Sequence, residues 1–461
     1  MARLTLGQIA AATGGRILRG SAAASCAGFA IDSRQLRPGD LFFALVGPRY
    51  DGHDFAAAAL RAGAGGVVVS RAVAAAGAPL ALEVCDTTRA LQELAGWLRR
   101  ARRWKVIGIT GSSGKTTTKE LAAALLSERF RVAASPGNLN NLYGLPLALL
   151  QAPDDAECFV AELGMSTPGE LTRLCAIARP DVGALLNVGL AHRQNFASLA
   201  EVAEAKGELV ASLPRRGALA FNARDRWVVR LARRFRGRKL SFGLSPQAEV
   251  RATRVRWGAA GMECVLRLGK LLAEVRLPLL GRHQVENLLA AAALALLMGV
   301  APESIAARAQ RVEAAPHRGE LRALAGGATA LDDSYNANPS SMRAALAALR
   351  GLPGYRRRLA VLGDMLELGG QAQRAHRALG RALHAARLDH VIGVGTLMAE
   401  AVEAAAEAGM PKVRLRSCAD AGAAVQALRA LLRPGDLVLV KGSHAIGLER
   451  LVEALARPGR A

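Results

Sequence analysis

The sequence predicts an α/β protein with three domains. Its 461 residues exceed the length that one hydrophobic core usually serves. Hydrophobic residues make up 51% of the chain and aromatic residues only 4%, and short apolar runs alternate with stretches rich in alanine and glycine. This pattern is typical of helices layered on mostly parallel sheets. We find no internal repeat and no low-complexity linker, and we predict domains at 1–102, 103–315 and 316–461.

The first domain is predicted to be a small α/β unit. Residues 41–46 and 66–69 are apolar runs of strand length, and residues 54–62 between them suit a helix. A loop containing glycine and aspartate, 47–53, follows the first strand, and the arginine-rich stretch at 99–103 is the expected end of the domain.

The central domain is predicted to hold a mostly parallel sheet. The apolar run at 105–110 leads through a glycine-rich loop into a helix at 116–126. Two further apolar runs, 158–163 and 182–188, each end in polar residues, which is where ligands gather in parallel α/β sheets. An alanine-rich helix at 287–298 is expected to close the domain.

The last domain is predicted to be Rossmann-like. Strands are expected at 328–331, 358–362, 390–394 and 436–440, with helices between them.

The formal net charge of +23 raises the question of nucleic-acid binding. Arginine supplies most of this charge, but it is scattered along the chain, and no aromatic residues are interleaved with the short basic stretches. We therefore predict an arginine-rich solvated surface and no nucleic-acid partner. The excess charge can still attract anionic nucleotides.

Cysteine usage and the lack of a targeting signal suggest a cytoplasmic protein. The six cysteines form no C-x-x-C pair, which argues against a disulfide framework or a zinc site. We see no signal peptide after Met1, and the longest apolar candidate, 288–300, is too short to span a bilayer. We expect no membrane insertion.

The strongest local signal is a phosphate-binding loop between a strand and a helix. Backbone N–H groups of such a loop cradle phosphates, while its lysine reaches the terminal ones and its hydroxyl binds Mg²⁺. Ile109 stands where the general P-loop pattern has its first glycine, so the loop is a shorter variant. The predicted ATP-binding residues of the loop are Gly111, Ser112, Ser113, Gly114, Lys115, Thr116 and Thr117.

The loop sequence and a series of other motifs, in this order, resemble the Mur ligase family, and within it the branch that adds D-alanyl-D-alanine. The motifs are Asp32-Ser33-Arg34, Asp51-Gly52-His53, Gly111 to Glu120, Gly137 to Asn141, Glu162-Leu163-Gly164, Asn187-Val188-Gly189 with Ala191-His192, Ala205-Lys206-Gly207-Glu208, Gly281-Arg282-His283 with Asn287, Asp332 to Pro339, Gly363-Asp364-Met365, and Lys441-Gly442-Ser443. Each is weak alone, but their joint order is specific.

The resemblance implies a central P-loop-type domain and an ATP-dependent, ADP-forming carboxylate–amine ligase that needs magnesium. ATP would phosphorylate the carboxylate of a UDP-N-acetylmuramoyl-tripeptide, and the amine of D-alanyl-D-alanine would then displace phosphate. The implied catalytic residues are Lys115, Glu162, His192 and Lys206. One Mg²⁺ would lie near Thr116 and Glu162, and a second near His192 and Lys206, with Lys206 as a carbamate because an ammonium cannot bind a cation.

The resemblance also assigns the substrate contacts. Beside the loop, Asn287, Arg318 and Asn336 would hold ATP between the central and last domains, and the last domain would take D-alanyl-D-alanine. The UDP-muramyl substrate is assigned to Ser33, Arg34, Gly47, Asp51, His53, Asn140, Asn141 and Ser166. We expect a monomer.

Several alternatives remain open on sequence grounds. Another Mur-type ligase could add a single amino acid to the muramyl peptide or to folate, and a basic nucleic-acid-stimulated NTPase is the alternative of another class. Lys206 could pair with Glu204 or Glu208 on a helix surface, and the asparagines at 336–338 could only build a turn. Three departures from the family pattern are Arg193-Gln194-Asn195 after His192, His317 before Arg318, and Gln284 after His283.

Overall fold

The computed structural model describes residues 3–71, 77–189, 195–258, 261–313 and 315–456. They form three sheets, each flanked by helices and mostly parallel, which confirms the predicted α/β class with three domains. The predicted boundaries at 102/103 and 315/316 each fall in a connection between two sheets. We therefore propose them as the domain boundaries. In the described part of the chain no helix is both long and apolar enough to cross a membrane.

The N-terminal sheet has five strands in the order β1-β5-β4-β3-β2, with only β1 antiparallel to its neighbour. Its elements are α1 (Leu6–Thr13), β1 (Arg16–Arg19), β2 (Gly28–Ala30), β3 (Asp40–Phe43), α2 (Ala56–Arg61), β4 (Gly66–Val69), β5 (Leu80–Glu83) and α3 (Thr87–Ala101). The strand predicted at 41–46 ends early, at Phe43. The helix predicted at 54–62 begins as a 3₁₀ turn, Gly52–Phe55, because Asp51 caps it by accepting from the His53 N–H at 2.9 Å.

The central sheet has nine strands in the order β14-β13-β12-β11-β10-β9-β6-β8-β7. Its elements are β6 (Lys105–Thr110), α4 (Lys115–Leu126), β7 (Val132–Ala134), α5 (Gly144–Leu150), β8 (Cys158–Glu162), α6 (Glu170–Ala178), β9 (Val182–Leu185), α7 (Leu199–Ser212), β10 (Ala218–Asn222), α8 (Arg226–Ala232), β11 (Arg238–Gly243), β12 (Val250–Gly258), β13 (Gly261–Leu268), β14 (Leu271–Leu277), α9 (Arg282–Leu297) and α10 (Pro302–Ala309). Strands β6 to β12 are parallel. Strands β12, β13 and β14 form an antiparallel edge that the sequence did not predict.

Two predicted elements of the central domain have different limits. The strand predicted at 182–188 ends at Leu185, so that Asn187 is free to turn toward the phosphate loop. The helix predicted at 287–298 begins five residues earlier, at Arg282, after Gly281 with its φ of +99°.

The C-terminal sheet has six strands in the order β15-β16-β20-β17-β18-β19, with β15 antiparallel to β16 and the others parallel. Its elements are β15 (Glu320–Ala323), β16 (Thr329–Asp332), α11 (Pro339–Gly351), β17 (Arg357–Gly363), α12 (Ala372–Ala385), β18 (His390–Val394), α13 (Thr396–Glu407), β19 (Leu415–Cys418), α14 (Ala421–Leu431), β20 (Asp436–Lys441) and α15 (Glu449–Leu455).

The N-terminal and central domains share one hydrophobic core. Leu91, Leu94 and Leu98 of α3 are buried in the same apolar cluster as Leu145 and Leu149 of α5. Burial of this kind stabilises a junction by roughly 1.5–3 kcal/mol for each large side chain. The junction therefore behaves as part of the core.

The C-terminal domain has two apolar clusters, and Leu280 and Trp257 of the central domain join the first of them. Trp257 of β12 packs directly on the backbone of α11 at Gly351, where an added Cβ would lie only 2.0 Å from the indole nitrogen. Most of the remaining space between these two domains is an open polar cleft.

Candidate active site

The cleft lies where the carboxyl ends of the central strands meet the C-terminal domain. Its volume is about 820 Å³. Successive strands bring polar residues to this edge: β6 leads into the phosphate loop, β8 ends at Glu162, and Asn187 and Asn222 follow from β9 and β10. This is the edge at which parallel α/β sheets bind ligands.

The phosphate loop contacts two asparagine side chains, Asn187 and Asn287. Asn187 accepts from the Ser113 N–H at 2.9 Å and donates to the Ser113 carbonyl at 3.1 Å. Gly114, at the N-terminus of α4, has a φ of +81°, and a Cβ there would lie 2.4 Å from the Asn287 amide oxygen. Glycine is therefore required both by backbone conformation and by the close approach of Asn287. Ile109 is fully buried within β6, and the loop begins after this strand, at Gly111.

Lys115 is half-buried at the first turn of α4. Its Nζ donates to the Gly111 carbonyl at 3.1 Å. Burial lowers the pKa of the Lys115 ammonium, the carboxylate of Glu162 opposes this change, and the charge of Arg318 adds to it. A cation at this position, beside the helix N-terminus, suits a terminal phosphate.

Glu162 is a predicted metal ligand that contacts the phosphate loop through its hydrogen bond to Thr116. It is 2% exposed, and its two carboxylate oxygens accept from the Thr116 hydroxyl at 2.7 Å and from the Asn140 amide at 2.8 Å. Hydroxyl and carboxylate oxygens fit Mg²⁺, which takes few protein ligands and completes its shell with phosphate oxygens and water. The described residues contain no group of three His, Cys, Asp or Glu side chains that could hold a metal ion.

Lys206 is 2% exposed on α7, so the alternative of a surface ion pair is wrong. The two candidate partners are occupied elsewhere: Glu204 pairs with Arg234, and Glu208 accepts from Gly169 and Thr172. Burial, and next the charge of Lys115, lower the pKa of the Lys206 ammonium well below its ordinary value.

The second predicted metal site lies partly outside the described residues. His192 is one of the residues outside them, as are Arg193 and Gln194. Lys206 is not among the described residues that line the cleft, although it is close enough to Lys115 to feel its charge.

The C-terminal side of the cleft presents cations and an aromatic stack. The Arg318 guanidinium lies 4.0 Å from the Tyr335 ring centroid, and Tyr335 stacks on His444 at 5.5 Å. The Lys441 ammonium donates to Asp333 at 2.7 Å and to the Asn336 carbonyl at 2.8 Å. These groups face the phosphate loop across the cleft.

The asparagines at 336–338 do build local structure. The Asn336 side chain accepts from the Ala337 N–H at 2.8 Å, and Asn338 caps α11 by accepting from the Ser341 N–H at 2.9 Å. Both residues also line the cleft, so a turn and a binding role coexist at this segment.

Two departures from the family pattern have structural explanations. Gln284 donates to the Arg318 carbonyl at 3.0 Å and accepts from Asn287 at 3.2 Å, so it joins the two domains beside the phosphate loop. His317 has a φ of +60°, a conformation that glycine adopts most easily, and its Nδ1 lies 2.8 Å from a carboxylate oxygen of Asp332. That contact holds a residue other than glycine in the left-handed region.

The structure divides the predicted UDP-muramyl contacts into two groups. Asn140, Asn141 and Ser166 line the cleft with the nucleotide residues, whereas the five from the first domain do not. Those five are Ser33, Arg34, Gly47, Asp51 and His53.

Some of the first-domain side chains are already engaged locally. The buried His53 contacts Asp51 through Nδ1 at 2.6 Å and accepts from the Ser70 N–H through Nε2 at 2.9 Å. The exposed Arg34 pairs with Asp32. A substrate contact at these residues would therefore lie on the N-terminal domain, separate from the cleft.

Sequence reasoning gave no role to several residues that line the cleft. Asn187, Gln284, Asp333, Tyr335 and Lys441 stood inside quoted motifs, so their signal was present but their roles were not read. Glu286, Glu367 and His444 carried no local pattern, and only the fold brings them to the cleft.

Family models match three successive parts of the chain. The Mur ligase family catalytic domain matches residues 26–101, the Mur ligase middle domain residues 109–295, and the Mur ligase glutamate ligase domain residues 317–444. The UDP-N-acetylmuramoyl-tripeptide–D-alanyl-D-alanine ligase of Escherichia coli (strain K12) is 38% identical over 93% of each chain. The Mycobacterium bovis protein of that name is 37% identical over 99% of this chain and 98% of its own.

Solved structures give the same result. A crystal structure of MurF from Acinetobacter baumannii matches with a TM-score of 0.87 at 32% identity, over 99% of each chain. The MurF ligase of Thermotoga maritima in complex with ADP matches with a TM-score of 0.79 at 30% identity, over 92% of this chain and 96% of that one. The chain belongs to the Mur ligase family. Within the family, it is similar along almost its whole length to the ligases that these names describe.

Proposed function

We propose that this chain is the ATP-dependent ligase that joins D-alanyl-D-alanine to UDP-N-acetylmuramoyl-tripeptide. The products are UDP-N-acetylmuramoyl-pentapeptide, ADP and phosphate, formed through an acyl phosphate in peptidoglycan precursor synthesis. The observation that carries this proposal is the Thr116–Glu162–Asn140 group beside the phosphate loop, in a cleft that the C-terminal domain covers with Arg318. The near full-length similarity to ligases of this name supports the substrate pair.

The first step transfers the γ-phosphoryl group to the terminal carboxylate of the tripeptide. A carboxylate oxygen attacks the γ-phosphorus, the bond to the β,γ-bridging oxygen breaks, and ADP leaves. Lys115 and the N–H groups at the start of α4 stabilise the charge on the transferring group. Thr116 and Glu162 would hold Mg²⁺, and its charge would offset the repulsion between the anionic substrates.

The second step forms the peptide bond. The amine of D-alanyl-D-alanine attacks the acyl carbonyl, the tetrahedral intermediate collapses, and phosphate leaves with one oxygen of the former carboxylate. The amine loses its extra proton in this step. The cationic groups of Arg318 and Lys441, on the C-terminal side of the cleft, suit the anionic groups that must meet there.

Lys206 is proposed to act as a carbamate that helps to hold a second Mg²⁺ together with His192. Carbamate formation requires a neutral amine, and the burial that lowers the pKa of Lys206 favours one. Within the described residues, no hydrogen bond or ion pair occupies its Nζ. A carbamate would present two oxygens of the kind that Mg²⁺ accepts.

The remaining proposals concern the surroundings of the site. Ser33, Arg34 and the 47–53 loop are proposed to receive the UDP end of the substrate on the N-terminal domain. We propose a cytoplasmic location, because all six cysteines are free thiols, which suits a reducing compartment, and ATP is available there. The expected monomer stays a prediction.

The direct test is ADP release by the purified protein. Release should require both UDP-N-acetylmuramoyl-tripeptide and D-alanyl-D-alanine, and neither alone should suffice. Equal turnover with single D- or L-amino acids, or with a folate substrate, would assign the chain to another Mur-type activity. Stimulation by DNA in the absence of the tripeptide would instead indicate a nucleic-acid-dependent NTPase.

A further inference from the structure

Lys119 is a fully buried lysine on α4 to which the steps above give no role. It lies one turn after Thr116 and has 0% exposure. Its Nζ donates to the carbonyls of Ser135 and Gly137, the latter at 3.0 Å, and lies 2.9 Å from a carboxylate oxygen of Glu120. An ammonium has three N–H donors, and three acceptors surround this one.

The two carbonyls belong to a segment that we call the asparagine loop, residues 135–141. This loop connects β7 to α5 and supplies Asn138, Asn140 and Asn141 to the lining of the cleft. Its backbone conformation therefore decides where these amides point.

The asparagine loop is also joined to Glu162 and the residues after it. The Ser135 hydroxyl accepts from the Glu162 N–H at 3.1 Å, and the Asn140 amide donates to the Glu162 carboxylate at 2.8 Å. The Asn140 carbonyl accepts from the Gly164 N–H at 2.8 Å. Asn140 also packs closely on Gly164, where an added Cβ would lie 2.8 Å from the Asn140 amide oxygen. A shift of the loop would therefore move the carboxylate.

Helix α4 thus reaches Glu162 by two routes. Thr116 bonds one carboxylate oxygen directly, and Lys119 holds the loop that bonds the other oxygen and the backbone. We propose that Lys119 is a positioning residue, which fixes the Glu162 carboxylate and the asparagine loop in the geometry that receives magnesium and the acyl substrate. The inference rests on the proposed role of Glu162 as a Mg²⁺ ligand.

Packing alone does not explain why a charged ammonium group is buried at position 119. Burial of a cation is costly, and an apolar residue of similar length often gives equal or higher stability in such a position. Methionine at 119 would fill the same space but leave the two loop carbonyls without their donor. Arginine would not replace the lysine, since its planar fork cannot direct donors to acceptors in three directions.

The test compares Lys119→Met with the wild-type protein in its Mg²⁺ requirement. Loss of a group that orients a metal ligand typically costs 10–100-fold in metal affinity or activity. We expect the Mg²⁺ concentration for half-maximal ligase activity to rise roughly 10–100-fold, with the KM for D-alanyl-D-alanine unchanged. Calorimetric binding of Mg²⁺ to the ADP-bound protein should weaken by a similar factor. Lys105→Met is the matched control, because Lys105 is exposed at the start of β6, far along the strand from the loop.

A double variant separates positioning from general stability. If Lys119 acts through the asparagine loop, Lys119→Met and Asn140→Ala should be less than additive in Mg²⁺ binding, since both disturb the same contact. Unchanged Mg²⁺ binding in a folded Lys119→Met protein would overturn the inference, as would a lowered melting temperature with a wild-type Mg²⁺ requirement. Glu162→Gln tests the underlying proposal separately: if it leaves Mg²⁺ binding intact, Glu162 is not the ligand.

Discussion

The two domain junctions of this protein are built differently. Between the N-terminal and central domains, α3 is part of one apolar core with α5, and side chains such as Gln92 and Arg99 bond backbone carbonyls across the boundary. Between the central and C-terminal domains there is a polar cleft beside the Gln284–Arg318 hydrogen bond, and Leu280 and Trp257 pack against an apolar cluster of the C-terminal domain. We expect the first junction to hold a fixed orientation and the second, which is largely polar, to change its separation at lower cost.

This difference between the junctions matches the roles that we propose for the N-terminal and C-terminal domains. The domain assigned to the UDP end is fixed to the phosphate loop, so one substrate is placed at a constant distance from the site of chemistry. The groups that complete the nucleotide site, such as Arg318, come from the domain with the weaker junction. A site assembled from two domains is complete only when they meet, which is a common way of excluding water.

The largest effect on stability should come from the apolar junction. Leu94→Ala removes a fully buried side chain from the shared core, and truncations of this kind cost about 2–5 kcal/mol. We expect the N-terminal and central domains to lose stability together in a denaturant titration, because one core serves both. Separate transitions, with only the N-terminal domain affected, would show that the core is not shared.

The largest effect on activity should come from the phosphate loop. Lys115→Ala removes the cation beside the transferring phosphoryl group, and losses of this electrostatic kind reach about 10²–10³-fold in kcat. The melting temperature should be nearly unchanged, since the half-buried Lys115 makes one hydrogen bond, to the Gly111 carbonyl. A folded Lys115→Ala protein that keeps most of its turnover would contradict the role given to this lysine.

Lys206, which feels the charge of Lys115, offers a second test in the central domain. Arginine keeps the charge of lysine but cannot form a carbamate, so Lys206→Arg should lose activity, by roughly 10–100-fold if a metal ligand is lost. Short carboxylic acids added to Lys206→Ala should restore part of the activity by supplying oxygen ligands. Full activity in Lys206→Arg would exclude the carbamate.

The smallest expected effects come from removing one hydrogen bond at each junction, and they should distinguish the two junctions. Gln284 and Gln92 each donate one amide hydrogen bond to a backbone carbonyl across a boundary, to Arg318 at 3.0 Å and to Leu142 at 2.9 Å. A bond of this kind contributes about 0.5–1.5 kcal/mol. Gln284→Ala should therefore raise the KM for ATP severalfold, while Gln92→Ala should affect only stability. A similar change in KM for both variants would remove the distinction between the junctions.

The sequence was most informative where local pattern and fold agree. The strands at 66–69, 105–110 and 390–394 have the limits that their apolar runs predict, and the glycine-rich turn predicts the loop before α4. The limits of these elements are determined locally, by burial along a strand and by residues that break it. Thr116 and Glu162 could be paired only through the resemblance, because 45 residues separate them along the chain.

The antiparallel edge of the central sheet shows why other parts were missed. Strand β12 begins with alternation of apolar and polar residues, but its pairing with β13 shifts between Thr253 and Arg256. Arg254 there has a φ of +52°, and the irregularity changes the phase of the alternation. The contact between Gln284 and Arg318 left no trace in the sequence either, since it depends on how two separately folded domains meet.

The central claim is that the tripeptide carboxylate is activated as an acyl phosphate in this cleft. The most direct measurement uses UDP-N-acetylmuramoyl-tripeptide with oxygen-18 at both oxygens of its terminal carboxylate, together with ATP, Mg²⁺ and D-alanyl-D-alanine. Mass spectrometry should find one oxygen-18 atom in each phosphate released and one retained in the new amide, with phosphate and pentapeptide formed in equal amounts. Phosphate without the label would mean that water, and not the carboxylate, receives the phosphoryl group, and the proposed reaction would be wrong.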